Sequence, residues 1–376
     1  MAFNETLTNS AEFGIISQMD FFDHSISKAN KIHGYTVVRK DYFVYNPRIS
    51  VTAPVGPINR NRLGREGVLS PLYTVFSTHD IDATFLEWSF KNNSWHKFMK
   101  FNGDSGARSD RFSIKDDVFF RMPILAPKDK DHIEQKCIGK FFEQLDHVIT
   151  LHQRKLDKLL NIKKSMLDKM FPKNGSKKPE IRFKGFTDDW EQRKLGAFSK
   201  EITRTSSNND SPVMMITASN GFIRQSERYA FDNAGKSLSK YVLLFKGELA
   251  YNHGASKIRP FGSCFSLKSV ESARIPYVYH CFSVEKSNPE FISMVLNSKE
   301  VEKQLRKIVS SGARMDGLLN ISFEDYTSVS LMLPRTVEQN VIVNFINNLD
   351  SLITLHQRKL EKLKNLKKAC LDKMFV

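Results

Sequence analysis

The chain has 376 residues, with 57 lysines and arginines against 41 acids, for a formal charge of +16. That length holds two globular domains with connecting helices, and the cationic excess favours a polyanionic partner, nucleic acid before an anionic membrane surface. No apolar run approaches the ~20 residues of a membrane span, and the start MAFNETLTNSAEFG lacks a signal-peptide profile. The four scattered cysteines (Cys137, Cys264, Cys281, Cys370) read as reduced cytoplasmic thiols, without a disulfide framework or a zinc site.

In chain order, Tyr35–Asn46 alternates apolar residues around Lys40-Asp41 and predicts two short strands about a turn. A Ser-Gly-Ala-Arg loop follows at 105–108, then an apolar strand, PILAP, at 123–127. The acid-and-Gln segment 131–135 starts a helix that runs from Ile138 to Phe171 and is broken by Pro172. After a polar linker, residues 179–195 read PEIRFKGFTDDWEQRKL and lead into a second module, for which the first has no counterpart. Either the N-terminus is truncated or that leading strand is dispensable. The second module repeats the order of the first. Tyr241–Asn252 predicts strands around Lys246-Gly247, a second Ser-Gly-Ala-Arg loop stands at 311–314, LMLP at 331–334 is a strand, and a helix spans Ile342–Phe375.

The two helices are nearly one sequence. LDxxITLHQRKLxKLxNxKKxxLDKMF occurs at Leu145–Phe171 and again at Leu349–Phe375 without a gap, so the protein is two related modules, each closed by the same helix. Steps of three and four predict an apolar stripe at Leu145, Val148, His152, Leu156, Leu159, Ile162, Met166 and Met170, and at Leu349, Leu352, His356, Leu360, Leu363, Leu366, Cys370 and Met374. Such a helix, ~50 Å long at 1.5 Å per residue, needs a partner, and the other copy is the nearest. His152 and His356 lie on the stripe, where a polar residue fixes register. A satisfied core histidine is the simpler reading and a metal pair the other. Lys163, Lys164, Lys367 and Lys368 read as exposed charge, for docking a protein or for phosphate. The expected fold is α+β: mostly β modules at 1–137 and 187–341, helices at 138–172 and 342–376, and a linker at 173–186, with the helices antiparallel and pseudo-twofold related.

On the repeated helix, the RFKGFTDDWEQRKLG lead-in, the YxxxxKxxxxYN strands and the SGAR loops, the chain resembles the specificity subunit of a type I restriction–modification system. The resemblance implies two target recognition domains that read a bipartite, asymmetric site in double-stranded DNA, with the helices as ruler for the unread gap. It also implies docking of two methyltransferase subunits and, through them, nuclease/translocase subunits. S-adenosylmethionine, ATP and Mg²⁺ belong to those partners and no cofactor to this chain.

Candidate DNA contacts are basic residues in polar loops: Lys40, Arg48, Arg60, Arg62, Arg65 and Arg108 in the first module, and Arg224, Arg228, Lys246, Lys257, Arg259 and Arg314 in the second. Arginine reads guanine, and asparagine reads adenine, although a given arginine more often contacts phosphate. Asn46-Pro47-Arg48 and Asn252-His253-Gly254 are the matched loops that differ in their following residues. The other reading is that Tyr45 and Tyr251 are core and the two asparagines shape the turn.

A self-contained DNA methyltransferase would need a Gly-rich cofactor loop and an Asn-Pro-Pro-aromatic loop. Asn46-Pro47-Arg48 lacks the second proline. A nuclease would need clustered carboxylates for metal ions, and the tight group Asp188, Asp189 and Glu191 reads as a solvated turn. Catalysis by this chain alone is not expected; a coiled-coil DNA-binding adaptor is the remaining alternative.

Overall fold

The computed structural model describes residues 5–22, 34–104, 110–128, 131–205, 210–228, 235–309 and 318–375. Both Ser-Gly-Ala-Arg loops, with Arg108 and Arg314, lie outside them. The chain divides into two compact units, the first made of 1–155 with 356–376 and the second of 156–355.

The first unit contains β1 (Leu7–Ser10), β2 (Gly14–Ser17), α1 (Gln18–Phe22), β3 (Thr36–Val38), β4 (Phe43–Tyr45), β5 (Ile58–Arg60), β6 (Gly67–Leu69) and β7 (Thr74–Phe76). Helices α2 (Ala83–Lys91), α3 (Trp95–Asn102) and α4 (Asp116–Phe119) follow, then the start of α5 (Ile133–Lys169). β1 pairs with β2, β3 with β6, and β4 stands between β5 and β7, all antiparallel. β4 is buried along its whole length because Phe43, Val44 and Tyr45 face apolar side chains on both sides of the ladder.

In the second unit come β8 (Glu191–Lys194), β9 (Ser199–Glu201), β10 (Met214–Thr217), β11 (Gly221–Arg224), β12 (Val242–Phe245), β13 (Leu249–Asn252), β14 (Ser263–Ser266), β15 (Ser272–Ile275) and β16 (His280–Val284). They are followed by α6 (Pro289–Leu296), α7 (Lys299–Ile308), α8 (Phe323–Thr327), β17 (Ser330–Leu333) and α9 (Thr336–Met374). The pairings repeat those of the first unit: β10 with β11, β12 with β15, and β13 between β14 and β16. Among the described residues three strands are added, β8, β9 and β17. β9 joins the outer side of β16, and β8 pairs with β17.

Local chemistry repeats with the topology. The turn before β4 places Asp41 in the left-handed region (φ 67°), where the turn before β13 uses Gly247 (φ 88°). Tyr45 donates its hydroxyl to Val55 O at 2.9 Å, and Tyr251 donates to Phe261 O at 2.7 Å. Asp82 and Asn288 cap α2 and α6 by accepting two amide N–H groups each. Gln135 and Gln339, both buried, accept from those caps' own amides and donate to Pro127 O and Pro334 O, tying each long helix to its module.

The predicted strands around Asn46 and Asn252 are present, but the two strands flanking each turn do not pair with each other: β3 pairs with β6 and β4 with β5 and β7, as β12 pairs with β15 and β13 with β14 and β16. LMLP forms most of β17, whereas PILAP forms no strand among the described residues. The physical difference is the partner. β17 bonds β8, which the lead-in at 179–195 supplies, and no strand among the described residues pairs with PILAP.

The long helices are antiparallel within each unit. In the first, Lys367 Nζ donates to Asp146 at 2.5 Å, His152 and His356 share a hydrogen bond at 2.9 Å, and the Phe142 and Phe375 rings lie 5.7 Å apart. In the second, Lys163 Nζ donates to Asp350 at 2.5 Å, and Leu159 packs in the core that contains Leu349. Leu145 and Leu349 are buried, and Leu159 and Leu363 half-buried. The stripe departs from the predicted one. Val148, Leu352 and Leu366 are exposed, and Ile149 and Ile353 face inward. A strict four-then-three step selects 145, 149, 152, 156, 159, 163, 166 and 170, so Lys163 falls on the seam, as Lys367 does in the other copy. These two lysines are therefore paired inside the seam, while Lys164 and Lys368 are exposed.

The LDKMF ends also reach into a core. Phe171 lies 5.6 Å from Phe291 of α6, and Phe375 lies 5.1 Å from Phe85 of α2. Each tip packs on the module that its own helix does not follow in sequence.

Candidate nucleic-acid interface

The matched asparagines are built into their loops in the same way. Asn46, at the end of β4, donates its amide to Asn9 O of the β1 hairpin at 2.7 Å and accepts from the Arg48 amide at 3.0 Å. Asn252, at the end of β13, donates to Ile216 O of the β10 hairpin at 3.1 Å and accepts from the Gly254 amide at 2.9 Å. Both functional ends of each side chain are thus engaged in holding strand end to hairpin, the turn-shaping role. Tyr45 and Tyr251 are core residues, stacked on Phe119 at 4.9 Å and on Tyr326 at 3.8 Å.

The loops diverge after the asparagine. Arg48 projects with two thirds of its side chain exposed, 3.5 Å from Asp110. In its place the second unit has His253-Gly254, and the buried His253 faces Leu319 O at 2.9 Å and Val278 O at 2.7 Å. His280 lies beside it, ring centroids 5.2 Å apart. Burial, and then the neighbouring His253, hold the His280 pKa below the usual histidine range.

The basic candidates separate by what already holds them. Lys40, Arg224 and Lys257 are exposed, with no carboxylate within ion-pair distance among the described residues; Arg228 is also exposed. Arg62 bridges Glu87 at 2.7 Å and Glu143 at 2.8 Å, Arg65 grips Glu5 in a two-point contact, and Lys246 pairs with Glu271 at 2.7 Å. Exposed pairs of this kind contribute little, so phosphate could compete for these cations. Arg60 is different. Its side chain is 11% exposed and bonded to Asp41 and Thr84, so it braces β5 against α2 inside the module. Arg259 is half-enclosed and donates to Asn297 O at 2.5 Å; burial lowers its pKa from the usual arginine value. Both were expected on the surface because sequence shows only that they are basic and near glycine or a turn.

Other expected features resolve as structure. Asp188 and Asp189 pair with Arg335 at 3.0 Å and Lys178 at 3.4 Å, and no group of three metal-ligating side chains occurs among the described residues. Cys264 and Cys281 are buried, and burial pushes the Cys281 thiol up to about 12. At the seam, one of His152 and His356 must present a free Nδ1 lone pair to the other. Removal from water, and then the charges of Lys155 and His152, lower the His356 pKa.

A groove of about 750 Å³ in the second unit was not legible in the sequence. Leu167, Phe171, Met294 and Ile346 line it together with Lys164 and Lys299. At the equivalent positions of the first unit Trp88 and Phe142 stack 5.2 Å apart, and Lys367 lies 4.6 Å from the Trp88 ring. No helix among the described residues is long and apolar enough to cross a membrane.

No family model and no curated protein matches the chain. Among solved structures, the HsdS subunit from Thermoanaerobacter tengcongensis is similar over 90% of this chain and 81% of its own, with 15% identity and a TM-score of 0.47. The S subunit of a type I restriction-modification system from M. genitalium is similar over 92% and 85%, with 10% identity and a TM-score of 0.48. A chain from a structure on complex assembly and conformational transition of the type I R-M system is similar over 90% and 83%, with 16% identity and a TM-score of 0.45.

Proposed function

We propose that this chain is the DNA-reading specificity subunit of a type I restriction–modification complex. The observation that carries the reading is the duplicated helix with its reciprocal contacts: Asp146 with Lys367 and Asp350 with Lys163, Phe375 on α2 and Phe171 on α6. A chain built this way presents two related but differently surfaced modules. Two similar readers suit a site of two halves, and their unequal loops, Arg48 against His253-Gly254, suit an asymmetric one.

In this reading the two modules contact double-stranded DNA, with Lys40, Arg48, Arg224 and Lys257 the first candidates for direct contact. The paired helices set the unread gap and dock two methyltransferase subunits, which bring in the nuclease/translocase subunits. The subunit itself is non-catalytic. S-adenosylmethionine serves the methyltransferases, and ATP and Mg²⁺ serve the nuclease.

Reconstitution tests the reading. The purified chain alone should transfer no methyl group. With its cognate adenine methyltransferase and S-adenosylmethionine, sequencing should map methyladenine to one two-part sequence. Exchange of residues 196–335 for those of a relative should change one half of that sequence only. Methyl transfer by the homogeneous chain, or methylation without a two-part site, would overturn the assignment.

A further inference from the structure

The second unit carries smaller side chains than the first at one matched place. Phe291 meets Phe171 as Phe85 meets Phe375, which sets Met294 opposite Trp88 and Ser293 opposite Glu87. The seam pairs Lys163–Asp350 and Lys367–Asp146 set Ile346 opposite Phe142 and Asn347 opposite Glu143. The strand registers, Leu249 with Ser266 and Phe43 with Arg60, set Ser266 opposite Arg60.

In the first unit these side chains fill the space. Trp88 is 7% exposed, stacks on Phe142 at 5.2 Å and has Lys367 Nζ 4.6 Å from its ring. Glu87 lies 3.7 Å from Arg60 and 2.7 Å from Arg62, and Glu143 lies 2.8 Å from Arg62. In the second unit Ser266, Ser293, Met294, Ile346 and Asn347 all line the groove of about 750 Å³, a size typical of ligand sites. The exchange removes an indole, a phenyl ring and two carboxylates while most of the cations stay. Each of the four carboxylates that line the groove lies within ion-pair distance of a lysine. Lys164 and Lys299, which also line it, have no carboxylate at that distance among the described residues.

We infer that this groove of the second unit docks a segment of another protein in which a tryptophan is flanked by carboxylates. The indole takes the place that Trp88 fills in the first unit, on Met294 and Ile346, and the carboxylates meet Lys164 and Lys299. These lysines stand on separate helices, α5 and α7, which suits acids spaced along a segment. The formal charge of +16 favours an acidic partner as well. A second copy of this chain has no tryptophan to offer, because Trp88, Trp95 and Trp190 are all 7% exposed or less. Docking of this kind does not require DNA reading, and its absence would leave two-part methylation untouched.

A fluorescein-labelled peptide of sequence GDEDWDEDG, added to the full chain, tests the site. Saturable one-to-one binding is expected. The same peptide with alanine for its tryptophan should bind at least ~10-fold more weakly, since a buried tryptophan is the usual anchor of such contacts. Met294→Trp in the chain, which fills the groove as the first unit fills its own, should weaken binding to a similar degree. Lys164→Glu, an exposed change that leaves the core intact, should act likewise and carries the test if Met294→Trp disturbs the fold. Absence of saturable binding would overturn the inference. So would equal binding of the alanine peptide, which would mean charge attraction alone, or undiminished binding by both variants. Binding of ATP or duplex DNA in place of the peptide, lost in Met294→Trp, would overturn it in favour of a nucleotide site.

Discussion

Phe375 stands one residue past the end of α9, and helix ends normally fray. Its ring is nonetheless 3% exposed, 5.1 Å from Phe85 and 5.7 Å from Phe142. Phe375→Ala removes an aromatic side chain enclosed by two others, a change that costs ~3–5 kcal/mol in closed cores. The last helical turn can sink part of the way into the gap, which argues for the lower end, about 3 kcal/mol. At ~1.4 kcal/mol per factor of ten, amide exchange by local opening over the last two turns of α9 should accelerate on the order of 100-fold. Hydrogen-exchange mass spectrometry reads this directly, and amides of 156–355, the other compact unit, serve as the internal reference. Acceleration of less than about fivefold, or equal acceleration in both units, would refute the docked-tip reasoning. Phe171→Ala should reproduce the effect in the second unit.

The seam supplies further predictions. Asp146→Lys and Lys367→Asp should each lower stability by about 0.5–1 kcal/mol, discounted because both side chains are partly solvated, and the double swap should recover most of the loss in denaturant titration. His356, whose folded pKa is lowered, binds a proton less readily folded than unfolded. Stability should therefore hold above pH ~6.5, the usual histidine value, and fall as pH drops below it; His356→Gln should flatten that part of the pH profile. On the modules, Arg48→Ala should reduce DNA affinity with unchanged thermal stability. Arg60→Ala should instead lower stability by ~1–3 kcal/mol, because Asp41 and Thr84 lose a largely buried partner; equal effects of the two on both assays would contradict their different placement.

The architecture was legible wherever sequence spacing carries physical meaning. An ungapped duplicate of Leu145–Phe171 forces two related modules, and the three-and-four steps require a helix with a partner. What failed was resolution within that pattern. Val148 and Ile149 are equally apolar, so only the strict heptad step distinguishes them, and that step also places a lysine in the seam. The fate of Lys163 then depends on Asp350, far away in sequence. PILAP looks as strand-like as LMLP because apolar residues before a proline read alike. Whether a ladder forms depends on a partner strand elsewhere in the chain. For the arginines, sequence gives the charge and the surroundings decide its use: Arg48 extends into water and Arg60 turns inward to Asp41.

The division of the chain into one continuous and one discontinuous unit bears on its biosynthesis. Residues 156–355 are made without interruption, so that unit has its complete set of side chains as soon as Leu355 has left the ribosome. The other unit holds residues 1–155 in an unfinished state until 356–376 arrive, because Phe85, Trp88 and Phe142 wait for Phe375, and His152 waits for His356. The module made first is thus completed last, after a closure that spans the whole of its neighbour and carries the slow kinetics of long-range contacts. A ribosome that stalls beyond Leu355 would release a chain with one finished unit and one open one, whose exposed Phe85, Trp88 and Phe142 surface is what chaperones and proteases bind.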